Sequence, residues 1–338
     1  MSPDSGSAPD LSETLRALGD LESPADVTKA LKQLDAGGVL HLPLPGRGQT
    51  RRRFAALSEI GAVDLSLARL AEGHTDAIAI LSEAGVGARR GTYGVWAAEP
   101  PEARVEAIPS SRGWTLTGMK KYGSGATGLD RALVTAHTSE GPRLFDVDLR
   151  DPRIRPEIGT WNAIGMALTD SIDVSFEDAH VTPQAAIGGP GFYTSRAGFW
   201  HGAVGVAACW YGGAHGALRM LRARLATKAN DHQAAHLGAV AAACTAMNAT
   251  LEAAARAIDV DPDDRTKCAQ SRALVVRHVV EQACQDVLAR VGRATGSSAL
   301  VFDRAHARRA ADLVVYLRQH RAEQDLTELG RSMLAVAT

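Results

Sequence analysis

Aromatic residues make up only 5% of this 338-residue chain. A core for a chain of that length must therefore be built mostly from Ala, Leu and Val. Neither sign of charge prevails: 37 Lys and Arg stand against 38 Asp and Glu, for a formal net charge of -1. That balance argues against nucleic acid as a partner, because phosphate binding needs an excess of cations. Cysteine is scarce. Cys209, Cys244, Cys268 and Cys284 show no C-x-x-C spacing. They read as small buried hydrophobes in a reducing compartment, which excludes a disulfide frame or a zinc site. His232 and His236 stand four apart on a helical stretch without a third ligand, so they read as surface residues and no metal is expected. No run reaches the ~18 apolar residues of a membrane span, so no membrane partner is expected. Met1–Pro9 has neither the basic nor the apolar segment of a secretory signal, and a cytoplasmic location is the expectation.

What is present falls into three zones, 1–90, 91–190 and 191–338. The first is helical. Leu15, Leu18, Val27, Leu31 and Leu34 recur at helical spacing. Ser23-Pro24-Ala25-Asp26 reads as an N-cap with proline at the first helical position. Arg52 to Leu81 reads as a longer helical stretch. In the second zone the period changes to two. Ala132–Ala136, Arg143–Val147 and Ser171–Phe176 read as strands, and Ser111-Arg112-Gly113 as a tight turn before Trp114. Short loops between them suggest a small antiparallel sheet or barrel. The third zone is alanine-rich, with helices predicted over Arg196–Thr227, Gln233–Asp259, Asp264–Arg293 and Ala305–Thr338. Asp261-Pro262-Asp263-Asp264 reads as a helix start.

One stretch of the middle zone carries a motif. Gly113-Trp114-Thr115-Leu116-Thr117-Gly118-Met119-Lys120-Lys121-Tyr122-Gly123-Ser124-Gly125-Ala126 resembles the G-(W/Y)-x-L-x-G-x-K-x-(W/F/Y)-x-(T/S)-(N/G)-A segment of the acyl-CoA dehydrogenase superfamily. Gly94 to Pro100 resembles the L-T-E-P loop before it. Gly165-Met166, Thr169, Ser171, Val174 and Phe176 resemble the strand after it. Asp312, Arg318, His320 and Asp325-Leu326 extend the resemblance to the C-terminus. The order of these motifs implies an α+β, mostly α fold: an N-terminal helical domain, a middle antiparallel β domain and a C-terminal four-helix bundle. The N-terminal zone is shorter than the family norm, with the missing piece after Leu81.

The resemblance implies FAD between the β domain and the bundle, its adenine end reaching a neighbouring subunit, and hence a homodimer or homotetramer. Tyr122 and Ser124 match positions at the isoalloxazine edge. Ala98 stands where the family has threonine, which leaves backbone amides to serve there. Arg222, followed eleven residues later by Gln233, resembles the pair that meets the pyrophosphate across a subunit boundary. Arg293 lies in a Gly-rich turn like the one near the adenosine.

Family dehydrogenases remove an α-proton with a buried glutamate. Both known locations lack it here. One falls on Ser195, beside Arg196. The other falls on Leu300 counted from Gly296, or on Asp303 counted back from Asp312. Asp303 is thus the candidate base. Ser195, Arg196 and Trp200 are candidate substrate contacts, and His201 a candidate acid, base or orienting group. The missing glutamate and His320 resemble another branch of the superfamily, the flavin monooxygenases, which need no α-carbon base. The expected activity is a flavin-dependent oxidoreductase acting on a small molecule, such as a CoA or carrier-protein thioester. A monooxygenase, or a homologue that has lost the flavin, are the alternatives.

Overall fold

The structure is a computed structural model and describes residues 10–335. The N-terminal segment read above for a secretory signal and the last three residues of the final predicted helix lie outside that range.

Four helices open the chain: α1 (Leu11–Arg16), α2 (Pro24–Ala36), α3 (Thr50–Val63) and α4 (Leu65–Glu83). Ser23 caps α2 in a reciprocal box with Asp26, and Pro24 occupies the first turn, where its missing N–H costs nothing. The predicted stretch Arg52–Leu81 is two helices. Asp64 breaks it in extended conformation and caps α4 by accepting from Leu67 N at 2.8 Å. Residues 84–92 then lead directly into the sheet.

The strands are β1 (Tyr93–Trp96), β2 (Val105–Ser110), β3 (Gly113–Gly123), β4 (Arg131–Thr138), β5 (Gly141–Asp148), β6 (Ile154–Glu157), β7 (Ile172–Val181) and β8 (Ala186–Ile187). They form one sheet in the order β6-β7-β3-β2-β4-β5-β8, with β1 also on β4. It is antiparallel except where β1 and β2 meet β4 in parallel. The sheet is therefore mixed. The predicted turn Ser111-Arg112-Gly113 joins β2 to β3. Gly113 has φ +133°, and a Cβ there would lie 2.2 Å from Val181 O.

The C-terminal helices are α5 (Phe192–Ser195), α6 (Ala197–Leu225), α7 (Asp231–Val260), α8 (Ala269–Thr295), α9 (Ser298–Phe302), α10 (Arg304–Tyr316) and α11 (Glu323–Ala335). Helices α6, α7, α8 and α10 make the bundle, and α3 packs along α6. Three expectations need correction. The segment Asp261–Asp264 does not start α8, which begins at Ala269. Its carboxylates instead cap a turn in which Asp264 and Lys267 hold positive φ. The last predicted helix breaks after Tyr316, where Leu317–Gln319 tighten into a 3-10 turn and Ala322 takes φ 45°. Cys209, Cys244 and Cys284 are buried as expected, but Cys268 is exposed on the turn before α8. Helix α7 is long and apolar enough to cross a membrane by length and composition alone. It packs on α3, α6 and α8, and leaves Ala234, Ala235, Ala242, Ala246 and Ala249 exposed.

The α3–α6 contact depends on two glycines. A Cβ on Gly212 would sit 2.3 Å from Ser58 O, and one on Gly61 would sit 2.6 Å from Cys209 O. Ser58 Oγ donates to Ala208 O across the same contact at 3.0 Å. Gly212→Ala should therefore wedge the helices apart and cost about 1–3 kcal/mol, as overpacked cores do. Urea unfolding of the variant measures it, and an unchanged midpoint would refute the close crossing.

Candidate active site

A cavity of about 730 Å³ opens where the sheet meets the bundle. The sheet side supplies Ala98 and Glu99 after β1, Tyr122 and Ser124 at the end of β3, Thr135 on β4 and Arg143 on β5. The loop between β6 and β7 supplies Trp161, Met166, Thr169 and Ser171. The helices supply Arg69, Tyr193, Phe199, Tyr316, Arg318 and Gln319.

The end of β3 is shaped by backbone that L-residues rarely adopt. Tyr122 has φ 60° and Gly125 has φ +73°. For a bulky residue such as tyrosine the left-handed region costs roughly 1–2 kcal/mol, and such strain gathers at functional sites. Trp96 anchors the turn, its buried indole N–H donating to Ser124 O at 3.1 Å. A chain of hydroxyls follows. Thr169 Oγ1 donates to Met166 O at 2.7 Å, and Ser171 Oγ lies 2.8 Å from both Thr169 Oγ1 and Ser124 Oγ. Each hydroxyl has one proton. With Thr169 committed to the carbonyl, Ser171 donates to Thr169 and Ser124 donates to Ser171. The Ser124 oxygen is left as an acceptor, so a ligand atom facing it must carry hydrogen.

The loop is clamped to α10. A Cβ on Gly165 would lie 2.1 Å from Ala311 O, so only glycine allows the approach. Met166, at φ 59°, donates its N–H to Asp312 Oδ1 at 2.5 Å. Burial pushes the Asp312 carboxyl up from 3.8 to about 6, against the opposing pull of that N–H. At the mouth, Glu99 meets His137 Nε2 at 3.0 Å and Lys120 Nζ at 3.5 Å. Burial raises Glu99, but the Thr135 hydroxyl, Lys120 and His137 outweigh it and hold the carboxyl below its usual value. Lys120 is fully buried, donates to Thr135 Oγ1 at 2.9 Å, and is pulled down to about 8 by that burial.

No protein-family profile matches the sequence, and no curated protein does. Solved structures do match. Dibenzothiophene monooxygenase TdsC from Paenibacillus sp. A11-2, solved with FMN, superposes with a TM-score of 0.81 over 96% of each chain at 18% identity. Methanesulfinate monooxygenase MsuC from Pseudomonas fluorescens gives 0.76 over 99% of this chain and 97% of that one, also at 18% identity. Butyryl-CoA dehydrogenase from Megasphaera elsdenii gives 0.77 over 96% and 98%, at 15% identity. The chain has the acyl-CoA dehydrogenase fold.

Within this acyl-CoA dehydrogenase fold the expected site residues divide into groups. Ala98, Tyr122 and Ser124 line the cavity. Arg196 and Trp200 line a smaller cavity next to it, while Ser195 is exposed at the end of α5. Arg222 and Arg293 are exposed, and Gln233 is tied into the α7 cap and to Ala294 O. These three gather at the far end of the bundle and do not line the cavity of their own chain. Asp303 caps α10 by accepting from His306 N at 2.9 Å, which gives its carboxylate a structural task away from the cavity. His201 is buried, donates through Nε2 to Pro262 O at 2.9 Å, and has its pKa lowered by burial. His320 is buried and bonds Asp325 through Nδ1 at 3.0 Å, leaving Nε2 without a partner. Sequence patterns missed Arg69, Arg143, Tyr193 and Phe199. Arg143 alternates in a strand, and Arg69 reads as an ordinary helix-face arginine, so neither carries a motif.

The Asp312 clamp gives a pH test. Its folded pKa lies above the unfolded 3.8, so the stability it contributes is full below about pH 4 and is lost as pH rises through about 6. Asp312→Asn keeps an acceptor for Met166 and cannot ionise. Urea midpoints between pH 4 and 6 should fall in the parent relative to this variant. Parallel curves would remove Asp312 as the titrating group.

Proposed function

We propose that the chain is a flavin-dependent oxidoreductase, and a monooxygenase rather than an acyl-CoA dehydrogenase. The observation that carries this reading is the carboxylate inventory of the cavity. Among the described lining residues the one carboxylate is Glu99, and it is tied to Lys120 and His137 and held below its usual value. A base for an α-proton needs the opposite, a carboxyl raised by burial and free to face the substrate. TdsC and MsuC, both monooxygenases, have the same fold.

The residues fit a flavin. The volume suits a fused aromatic ring, Trp161, Tyr122 and Tyr316 supply flat apolar walls, and Ser124 offers an acceptor to a ring N–H. Arg143, tied through Nε to Gly188 O at 3.0 Å, and Arg318, paired with Glu281 at 2.6 Å, line the same cavity and offer their remaining N–H groups to a phosphate. A bound flavin would supply two-electron chemistry and, when reduced, reactivity toward O2. The chain's own part is to hold the ring edge through Ser124, to exclude water with the aromatic walls, and to keep the Trp161–Ser171 loop fixed through Asp312.

Both nucleotide forms fit the chemistry, and they make different demands. FAD, the form expected from the sequence, would need Arg222, Gln233 and Arg293 from a second copy. FMN needs only the phosphate contacts of one cavity, and is the form solved with TdsC. We favour FMN. The protein as isolated should be yellow, and heat-released cofactor should chromatograph as FMN. Release of FAD would restore the role of Arg222, and colourless protein that takes up neither nucleotide would sink the flavin reading. Arg143→Ala should weaken flavin binding roughly 10- to 100-fold, the loss of one hydrogen bond to a charged group. Full retention would rule that arginine out as a phosphate contact.

A homo-oligomer is part of the same proposal. Apolar side chains are exposed on three helices: alanines on α7, Val275 and Val279 on α8, and Leu300, Val301 and Phe302 on α9, the last 83% exposed. Sedimentation should give a dimer or tetramer, and Phe302→Asp should shift it toward monomer. A monomeric parent would refute this.

A further inference from the structure

Behind the aromatic wall of the main cavity lies a second chamber of about 330 Å³ between α4, α6 and α8. Tyr193, Phe199 and Gln319 line both spaces, so they form the partition between them. The chamber is unlike an apolar acyl tunnel, because its walls carry several charges.

Most of those charges are already matched inside the protein. Glu72 accepts from Arg69 at 2.6 Å. Arg277 donates to Ala203 O and Gln319 O at 3.1 and 2.6 Å. Asp325 accepts from His320 and Arg321. Two groups stand apart. Asp76 is 8% exposed and makes no hydrogen bond, with Oδ1 wholly shielded from water and the Arg196 guanidinium no nearer than 3.8 Å. Arg196, also 8% exposed, gives Nη1 to Glu83 at 2.8 Å but leaves Nε without a partner. A buried carboxylate oxygen without a donor is costly, and native proteins retain such an atom where something else satisfies it. Oδ1 packs directly against α6, where a Cβ on Gly202 would press to 2.9 Å from it, so the chamber meets the carboxylate at its other oxygen.

We propose that this chamber is a subsite for the polar end of the substrate, in which Asp76 accepts a hydrogen bond from a ligand ammonium or hydroxyl group. Tyr193, Phe199 and Trp200 surround the site with ring faces and edges, which suit a cation or an aromatic body equally. The substrate is thus an amine or alcohol whose polar end occupies the chamber and whose carbon body lies toward the Tyr193–Phe199 partition, where the two rings meet edge to face at 5.4 Å. The identity of this ligand as a substrate rests on the flavin reading, whereas the subsite itself does not.

The test is calorimetric binding of three matched probes, phenethylamine, 2-phenylethanol and ethylbenzene, to the protein as isolated with its flavin content recorded. One polar probe should bind about tenfold or more tightly than ethylbenzene. Preference for phenethylamine assigns the ammonium, and preference for 2-phenylethanol assigns the hydroxyl. Asp76→Leu should abolish the preference, and circular dichroism checks that it folds. Asp76→Asn, the isosteric variant, should lose an ammonium preference and weaken a hydroxyl one, and it decides the matter if the leucine variant does not fold. Equal binding of the three probes, no binding of any at millimolar concentration, or a preference that survives at Asp76→Asn undiminished overturns the proposal. Discrimination by protein that takes up no flavin leaves the subsite standing and removes the flavin reading alone.

Discussion

The contact between the β6–β7 loop and α10 is the constraint on which the cavity depends. Gly165 lets two backbones approach to a distance no side chain would allow, and Asp312 accepts the N–H of Met166 at that point. Trp161, Thr169 and Ser171 all hang from the same loop. Without the clamp, the left-handed Met166 and Asp170 would relax, and the hydroxyl chain that orients Ser124 would lose its fixed end. One buried hydrogen bond thus joins the sheet to the bundle and sets the chemistry of the wall between them. Its acceptor pays in desolvation, which is why the Asp312 carboxyl is raised despite accepting an N–H.

The same tension between burial and charge runs through the helical side of the site. Helix α4 is almost wholly buried, yet it carries Arg69, Glu72, His74 and Asp76. Most of these are satisfied: His74 takes the Tyr93 N–H on one ring nitrogen and meets Asp35 on the other, and Arg69 pairs with Glu72. An apolar helix would pack as well or better, since burying matched ions adds little to stability. What the charges add is polarity behind an aromatic partition. The two atoms left unmatched, on Asp76 and Arg196, lie where the second chamber begins. Glycines make this arrangement possible by drawing α6 against α3 and α4, so that charged side chains share a narrow space.

The outline of the fold was legible in the sequence because it rests on local patterns. Ser23 to Asp26 is a capping box in the chain and in the structure. The alternation in β4, β5 and β7 needs no distant partner to be read. The motif from Gly113 to Ala126 marks the end of β3 because its glycines are demanded by close approach and positive φ. Less was legible where a residue's task depends on what folds against it. Asp303 and Asp312 are both aspartates near the same helix, but one caps its N-terminus half-buried and the other is buried under a loop about 150 residues distant. Nothing local separates His201, bonded to a carbonyl, from a histidine free to react. Asp261-Pro262-Asp263-Asp264 has the composition of a helix start, yet its carboxylates bind backbone N–H groups farther along and delay the helix to Ala269.

The sequence by itself determined the succession of helices, sheet and helices and the turn glycines. Those features follow from periodicity, capping and backbone sterics, which act within a few residues. The tertiary structure alone decided which polar groups face the cavity, which are spent in caps and ion pairs, and which are left without a partner. Arg69, Arg143, Tyr193 and Asp76 have no local signature. Their significance comes from burial and from neighbours distant in the chain, and the cost of desolvating a charge is set only when those neighbours arrive.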